Sequence, residues 1–205
     1  MEIKKAIEEL RKSEKRKFSQ SVDAIVNLKG LDLRRENISL VLNVPHKIKE
    51  KRVCAFLNNK SSIITTITKI DFPKYKDKKS VRNLVKKYDF FIASAPLMPS
   101  VATTFGKVLG PTGKMPSPQL GVIAAESDDS IKRELEKISS SMKIRVKELS
   151  IKASIGNEKM KDEEIIENFQ AFYNAVVNAL PKKKENVRNV MLKLTMNKPI
   201  KLGVI

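Results

Sequence analysis

Arg52–Leu57, RVCAFL, holds five consecutive apolar residues, whereas Ser21–Leu28, SVDAIVNL, sets Val22, Ala24, Val26 and Leu28 on alternate positions. The contrast decides the fold class. A strand buried on both faces reads as a continuous apolar run, and a strand with one wet face alternates. Working outward from RVCAFL, the runs SIITTI, DFFIAS and GVIAA share its texture. Between them lie helical stripes, one of Val81, Leu84, Val85 and Tyr88, the other of Ile131, Leu135 and Ile138. The second stripe follows ESDDS, where Ser127 or Asp128 can cap a helix and the acids oppose its dipole. Strand and helix therefore alternate from residue 50 to residue 141, which predicts a Rossmann-like, three-layer α/β domain on a parallel sheet.

The flanking segments read differently. MEIKKAIEEL places Ile3, Ile7 and Leu10 at helical spacing, LDLRREN reads as a connection, and ISLVLNV alternates through Ile38, Leu40, Leu42 and Val44 until Pro45 ends it. ELSIKASIG alternates at Leu149, Ile151, Ala153 and Ile155, and NVRNVMLKLTM at Val190, Leu192, Leu194 and Met196. KDEEIIENFQAFYNAVVNAL is the clearest helix, with acids at its start, Ile165, Phe169, Phe172, Val176 and Leu180 on one face, and Pro181 after it. Neither flank covers a sheet alone. Together they predict a discontinuous α+β sandwich domain made by both termini, residues 1–49 and 142–205, interrupted by the inserted domain 50–141. Crossings near Lys49 and Ser141 would form a paired hinge.

The chain of 205 residues carries 41 Lys+Arg against 23 Asp+Glu, a formal charge of +18. So large an excess calls for a polyanionic partner, nucleic acid first and an anionic membrane second. No apolar run approaches the ~18–20 residues of a spanning helix, and the charged Met1–Leu10 is unlike a signal peptide. The single cysteine, Cys54, lies in an apolar run and reads as a buried hydrophobe in a reducing compartment. A soluble intracellular protein without a membrane partner is expected. Nothing calls for a dimer.

Thr103–Gly121, TTFGKVLGPTGKMPSPQLG, raises a phosphate-loop question. A nucleotide P-loop would need glycine where Val108 stands and a hydroxyl where Met115 stands, and Pro111 deletes a backbone donor. Two readings stay open: a turn rich in glycine and proline, or a stiff loop presenting Lys107 and Lys114 to an RNA backbone. His46, the only histidine, has no sequence neighbour suggesting a triad and no cysteine cluster for a metal, so no catalytic residue, metal or cofactor is assigned. The rival reading is an α/β enzyme or binding protein for a phosphorylated small molecule.

The basic segments point to RNA. SEKRKFSQSVD gathers Lys15, Arg16 and Lys17 before Phe18, then Ser19, Gln20 and Ser21. Such charges meet phosphates, a ring packs on ribose or base, and short polar groups reach a 2′-OH. Alone, Phe18 reads as a core residue at a strand entrance. PKKKE and RNVMLKLTMNKPIK form a second basic group with Thr195 and Met196, for which a solvated charged face is the plain alternative.

FGKVLGPTGKMPSPQ, with KFSQSVD near the start and KLTMNKP near the end, resembles the large-subunit ribosomal protein family of the mobile rRNA stalk, ribosomal protein one, in its archaeal form. The resemblance spans essentially the whole chain. It implies a non-enzymatic protein of the cytoplasmic ribosome, a monomer outside it, whose terminal domain binds structured stalk rRNA. It also implies a part in exit-site tRNA movement and repression of its own mRNA. The implied rRNA-binding residues are Lys17, Phe18, Gln20, Ser21, Lys152, Ser154, Gly156, Arg188, Asn189, Thr195 and Met196. Gly106, Lys107, Gly110, Gly113 and Lys114 are implied as a secondary RNA contact. The family's Thr-Met-Gly-Pro is Thr195-Met196-Asn197-Lys198-Pro199 here, so a left-handed backbone at Asn197 is an open expectation.

Overall fold

A computed structural model describes residues 2–12, 16–32, 38–75, 77–146 and 148–203. Lys15 and the 33–37 part of the LDLRREN connection lie outside the described residues. The chain divides into two compact units, Met1–Lys49 with Ser140–Ile205, and Glu50–Ser139.

In the first unit, β1 (Ser21–Leu28) is the hinge-pin of the sheet. It pairs antiparallel with β8 (Ser150–Asn157) on one side and β9 (Val187–Leu194) on the other, and β10 (Ile200–Lys201) extends the order to β10-β9-β1-β8. The alternation of β1 is reproduced as burial of Val22, Ala24, Val26 and Leu28 at 4% exposure or less. Two helices cover that face. α1 (Ile3–Lys12) lies over β9 and β10 with Ala6, Ile7 and Leu10, while α5 (Asp162–Ala179) lies over β8 with Ile165, Phe169, Phe172 and Val176. Arg11 of α1 locks the two ends together, donating 2.6 Å to the Met160 carbonyl and pairing with Asp162 at 2.6 Å.

Two features differ from expectation. Met196 leaves the buried side of β9, because that strand ends at Leu194 and a turn begins. And β2 (Ser39–Asn43) does not join the main sheet. It forms a separate ribbon with β7 (Ser141–Arg145), a strand for which no separate expectation was drawn. Buried Asn168 fastens this ribbon's exit to α5: its amide accepts from His46 N–H (2.9 Å) and donates to the carbonyls of His46 (3.0 Å) and Ile155 (2.9 Å).

The second unit holds β3 (Val53–Leu57), β4 (Thr65–Thr68), β5 (Phe90–Ser94) and β6 (Val122–Ile123), all parallel, in the order β4-β3-β5-β6. Both faces are buried, since neighbouring residues Ala55 and Phe56, and Phe91 and Ile92, are each at most 1% exposed. One face carries Cys54, Phe56 and Phe91 beneath α2 (Lys78–Lys87) and α3 (Met98–Thr112). Phe56 stacks on Phe91 at 5.6 Å and meets Phe105 of α3 at 4.8 Å. Burial pushes the Cys54 thiol up to about 12, leaving it an inert core group. α4 (Asp128–Ser140) buries Ile131 and Ile138. The chain is thus a mixed α/β protein, with an antiparallel main sheet and an antiparallel ribbon in one unit and a parallel sheet in the other among the described residues.

The segment read as a glycine-proline loop is helical as far as Thr112. Val101, Phe105 and Leu109, spaced by four, are all 0% exposed, and this packing overrides the low helix propensity of Gly106 and Gly110. Pro99 sits in the first turn, where its missing N–H costs no helical bond. Gly113, at φ 73°, ends the helix. Its N–H donates to Gly110 and that of Lys114 to Leu109, the paired bonds of a Schellman cap.

Gly156 of β8 lies close beneath α5. A Cβ there would stand 3.0 Å from Ile165 Cγ1. Gly156→Val is therefore expected to destabilise the protein by about 1–3 kcal/mol through overpacking, read as a lowered urea midpoint. Adding Ile165→Ala should cost less in the Gly156→Val background than in the unsubstituted protein, because there it also removes the clash.

Candidate nucleic-acid interface

β1 runs antiparallel to both its neighbours, so its first residue lies beside the last residues of β8 and β9. Three remote segments, residues 17–21, 157–159 and 195–197, meet at one end of the sheet. Hydrogen bonds cross the junction on both sides of β1. Ser21 N–H donates to Thr195 Oγ1 (3.2 Å), and Thr195 returns its N–H to the Ser21 carbonyl (3.1 Å). On the other side Glu158 N–H donates to the Gln20 carbonyl (2.9 Å), Gln20 N–H donates to the Glu158 carboxylate (3.2 Å), and Ser19 donates its hydroxyl to Asn157 Oδ1.

Two large apolar side chains stand out of this junction. Phe18 is 54% exposed and Met196 is 62% exposed. Neither belongs to the core, which settles the plain reading of Phe18 against a strand-entrance core residue. Lys17, Ser19, Lys159 and Lys198 are exposed around them. Rings and thioethers beside cations offer what unstacked nucleotides need, an apolar surface for base or ribose and charge for phosphate.

The outer face of the sheet continues the surface. Cross-strand rows place Ser154 and Lys193 on either side of Asp23, and Lys152 and Met191 on either side of Ile25. Farther along, Asn27 Nδ2 donates to Asn189 Oδ1 at 2.7 Å. Ser21 and Asn27 are six residues apart, so Asn189 lies roughly 20 Å from the Thr195 end at ~3.4 Å per residue. Asn27 pairs with Asn189 and Leu28 with Val187, which leaves Arg188 as the extra residue of a bulge, exposed at that far end. Lys152, Ser154 and Asn189 thus share one face of the sheet as a stripe rather than one spot.

Several expected positions have structural roles. Gln20 is only 1% exposed; its Oε1 accepts the Met196 N–H at 3.1 Å, so it sets the turn that displays Met196. Gly156 is buried against Ile165, with a packing role. Lys114 turns inward, where Nζ donates to the carbonyls of Val85 (2.8 Å) and Tyr88 (2.7 Å) at the end of α2. It caps that helix. Asn197 needs no left-handed backbone, because Lys183 is the only non-glycine with positive φ among the described residues. Its replacement of glycine is unstrained.

Asn157, Asp23 and Lys193 were missed. Lys193 had a usable signal, lying two residues before Thr195 on the outward parity of β9. Asp23 did not, since only cross-strand register places it between Lys193 and Ser154. Burial pushes the Asp23 carboxyl above its ordinary value, while Lys193 and the Ser154 hydroxyl oppose the shift.

A basic α/β protein with an open, cation-bearing sheet face and exposed apolar side chains at one end belongs to the class that meets nucleic-acid backbones. Comparison with known proteins narrows the class. Residues 10–198 match the Ribosomal protein L1p/L10e family. The chain is 32% identical over 212 residues to large ribosomal subunit protein uL1 of Pyrococcus horikoshii, covering 98% of this chain and 94% of the relative. It is 34% identical over 198 residues to uL1 of Thermococcus kodakarensis (91% and 89% covered) and 31% identical over 212 residues to that of Nanoarchaeum equitans (98% and 97% covered). The chain belongs to the ribosomal protein L1p/L10e family, and the resemblance to archaeal relatives is borne out over nearly its full length.

Asp23 yields a pH-dependent expectation. An acid whose folded pKa is raised is destabilising when ionised, so its cost is absent at low pH and complete above the folded value. Asp23→Asn should raise stability at neutral pH, with the gain vanishing as pH falls through the carboxylate range. Chemical denaturation at several pH values checks this.

Proposed function

We propose that the protein is a non-enzymatic constituent of the large ribosomal subunit, bound in the cytoplasm to structured rRNA of the mobile stalk. The observation that carries this reading is the junction at the end of β1, where Phe18 and Met196 stand exposed among cations on a bonded frame. Its relatives are named large ribosomal subunit protein uL1, and the +18 charge suits a polyanionic site. Lys17, Phe18, Ser21, Thr195 and Met196 form the primary contact, with Lys152, Ser154, Arg188 and Asn189 continuing it along the sheet.

The rigid junction favours shape recognition. Each hydrogen bond across residues 19–21 and 195–196 is already made in the free protein, so docking does not require that frame to be built. Lys107, exposed on α3 beside Gly106 and Gly110, supplies a secondary RNA contact. A Cβ at either glycine would meet nothing within 4 Å, so their bareness serves no internal packing and leaves backbone open to approach. Release of exit-site tRNA and repression of the protein's own message belong to the same proposal, since a folded leader mimicking the stalk would meet the same stripe.

Structured stalk rRNA is expected to bind far more tightly than an unrelated duplex of equal length, with affinity falling steeply as salt rises. Equal affinities would refute site recognition. Phe18→Ala should weaken binding by about 1–3 kcal/mol, roughly five- to 150-fold, by analogy with base–aromatic stacking. Lys17→Gln should reduce the slope of log affinity against log salt by about one. Filter binding at several salt concentrations, with melting curves to verify folding, distinguishes these effects from loss of structure.

A further inference from the structure

The parallel sheet of the second unit keeps an open edge. β4 lies at the end of the order β4-β3-β5-β6 and has β3 as its strand neighbour. Its residues, TTIT, are all β-branched, with no charge and no proline. That composition favours further pairing, whereas native edges are usually blunted by lysine, proline or a bulge. Ile63 just before β4 is 38% exposed, and Ile70 just after it is 87% exposed.

A cavity of about 500 Å³ runs along this edge, between β4 and α2. Ile67, Tyr75, Leu84 and Tyr88 supply apolar lining, while Lys60 and Lys87 supply positive charge. The one acid in the lining, Asp71, is already engaged, accepting from the Thr68 hydroxyl at 2.8 Å, from the Thr68 N–H at 3.4 Å and from Lys74 Nζ at 2.7 Å, so Thr65–Ile67 is the stretch of the edge left for pairing. α2, KKSVRNLVKK, has five basic residues and no acid.

These features select one kind of occupant. An open strand edge takes the backbone of an extended chain. Exposed isoleucines take apolar side chains, which a phosphodiester lacks. Cations without free acids take carboxylates and repel a second copy of a chain charged +18. We propose that the β4 edge docks an extended peptide segment of a partner protein, acidic and apolar in alternation, which adds a fifth strand to the parallel sheet. Carboxylates on one face of the added strand would meet Lys60 and Lys87 in the cavity beside α2, and the apolar side chains would lie on its opposite face. The proposal stands independently of the RNA reading.

The test uses the full chain and a short capped peptide alternating glutamate with valine. Saturable binding is expected, with slowed amide hydrogen exchange at Thr65–Ile67. The Lys60→Glu, Lys87→Glu double variant should bind at least tenfold more weakly with an unchanged melting temperature. A peptide N-methylated at alternate amides, which leaves the protein untouched, should lose binding by a similar factor, and a lysine-for-glutamate peptide should not bind. No binding, no protection at β4, or equal binding of the N-methylated or lysine peptide would overturn the proposal. Displacement of the peptide by oligouridylate that itself protects β4 would overturn it in favour of a single-stranded RNA site.

Discussion

Everything on the candidate RNA-binding face depends on the double pairing of β1. One N-terminal strand is held between two strands from the far end of the chain, and its antiparallel sense brings Ser21 against Thr195 and Gln20 against Glu158. The covered face of β1 supplies the energy for this arrangement. Val22, Ala24 and Val26 lie under α5 and α1 with Phe169 and Phe172, both 0% exposed. Hydrophobic burial of that face fixes the register, since a slip by one residue would turn the apolar set outward. With the register fixed, the polar set has only one place to go. It forms the open face.

Rigidity at the junction has a local origin as well. The Thr195 hydroxyl accepts from Ser21 N–H and lies 3.3 Å from the Ser21 carbonyl, to which it can donate. Gln20 Oε1 is buried and holds the Met196 N–H, a bond whose loss would strand that acceptor. Phe18 and Met196 are displayed by a frame that has little freedom to retract them. A surface of this type discriminates by shape, with cations adding attraction and salt sensitivity.

The second unit uses the opposite strategy. Its parallel strands are buried on both faces, and its aromatic cluster of Phe56, Phe72, Phe91 and Phe105 makes a closed core. Lys114, drawn into capping α2, shows how a lysine in a glycine-rich motif can be structural: two carbonyls at a helix end compete for its ammonium at 2.7 and 2.8 Å. What remains exposed is the cationic surface of α2, the flat side of α3 and the bare edge of β4.

Fold class, the alternation of β1 and the helices α2, α4 and α5 were legible in the sequence, because period and continuity of apolar residues report directly how many faces of an element are covered. Motif resemblance likewise pointed to Phe18, Thr195 and Met196 as neighbours. Local pattern failed where distant packing won: α3 is helical through Gly106 and Gly110 because Val101, Phe105 and Leu109 fill the core. It also failed for Gln20, Gly156 and Lys114, polar or flexible residues whose use depends on what lies opposite. The pairing of β2 with β7, the row of Ser154, Asp23 and Lys193, and the open edge at β4 were decided only by tertiary structure. A strand's own residues dictate which way each side chain points, but the identity of its neighbour is a property of the whole packed chain.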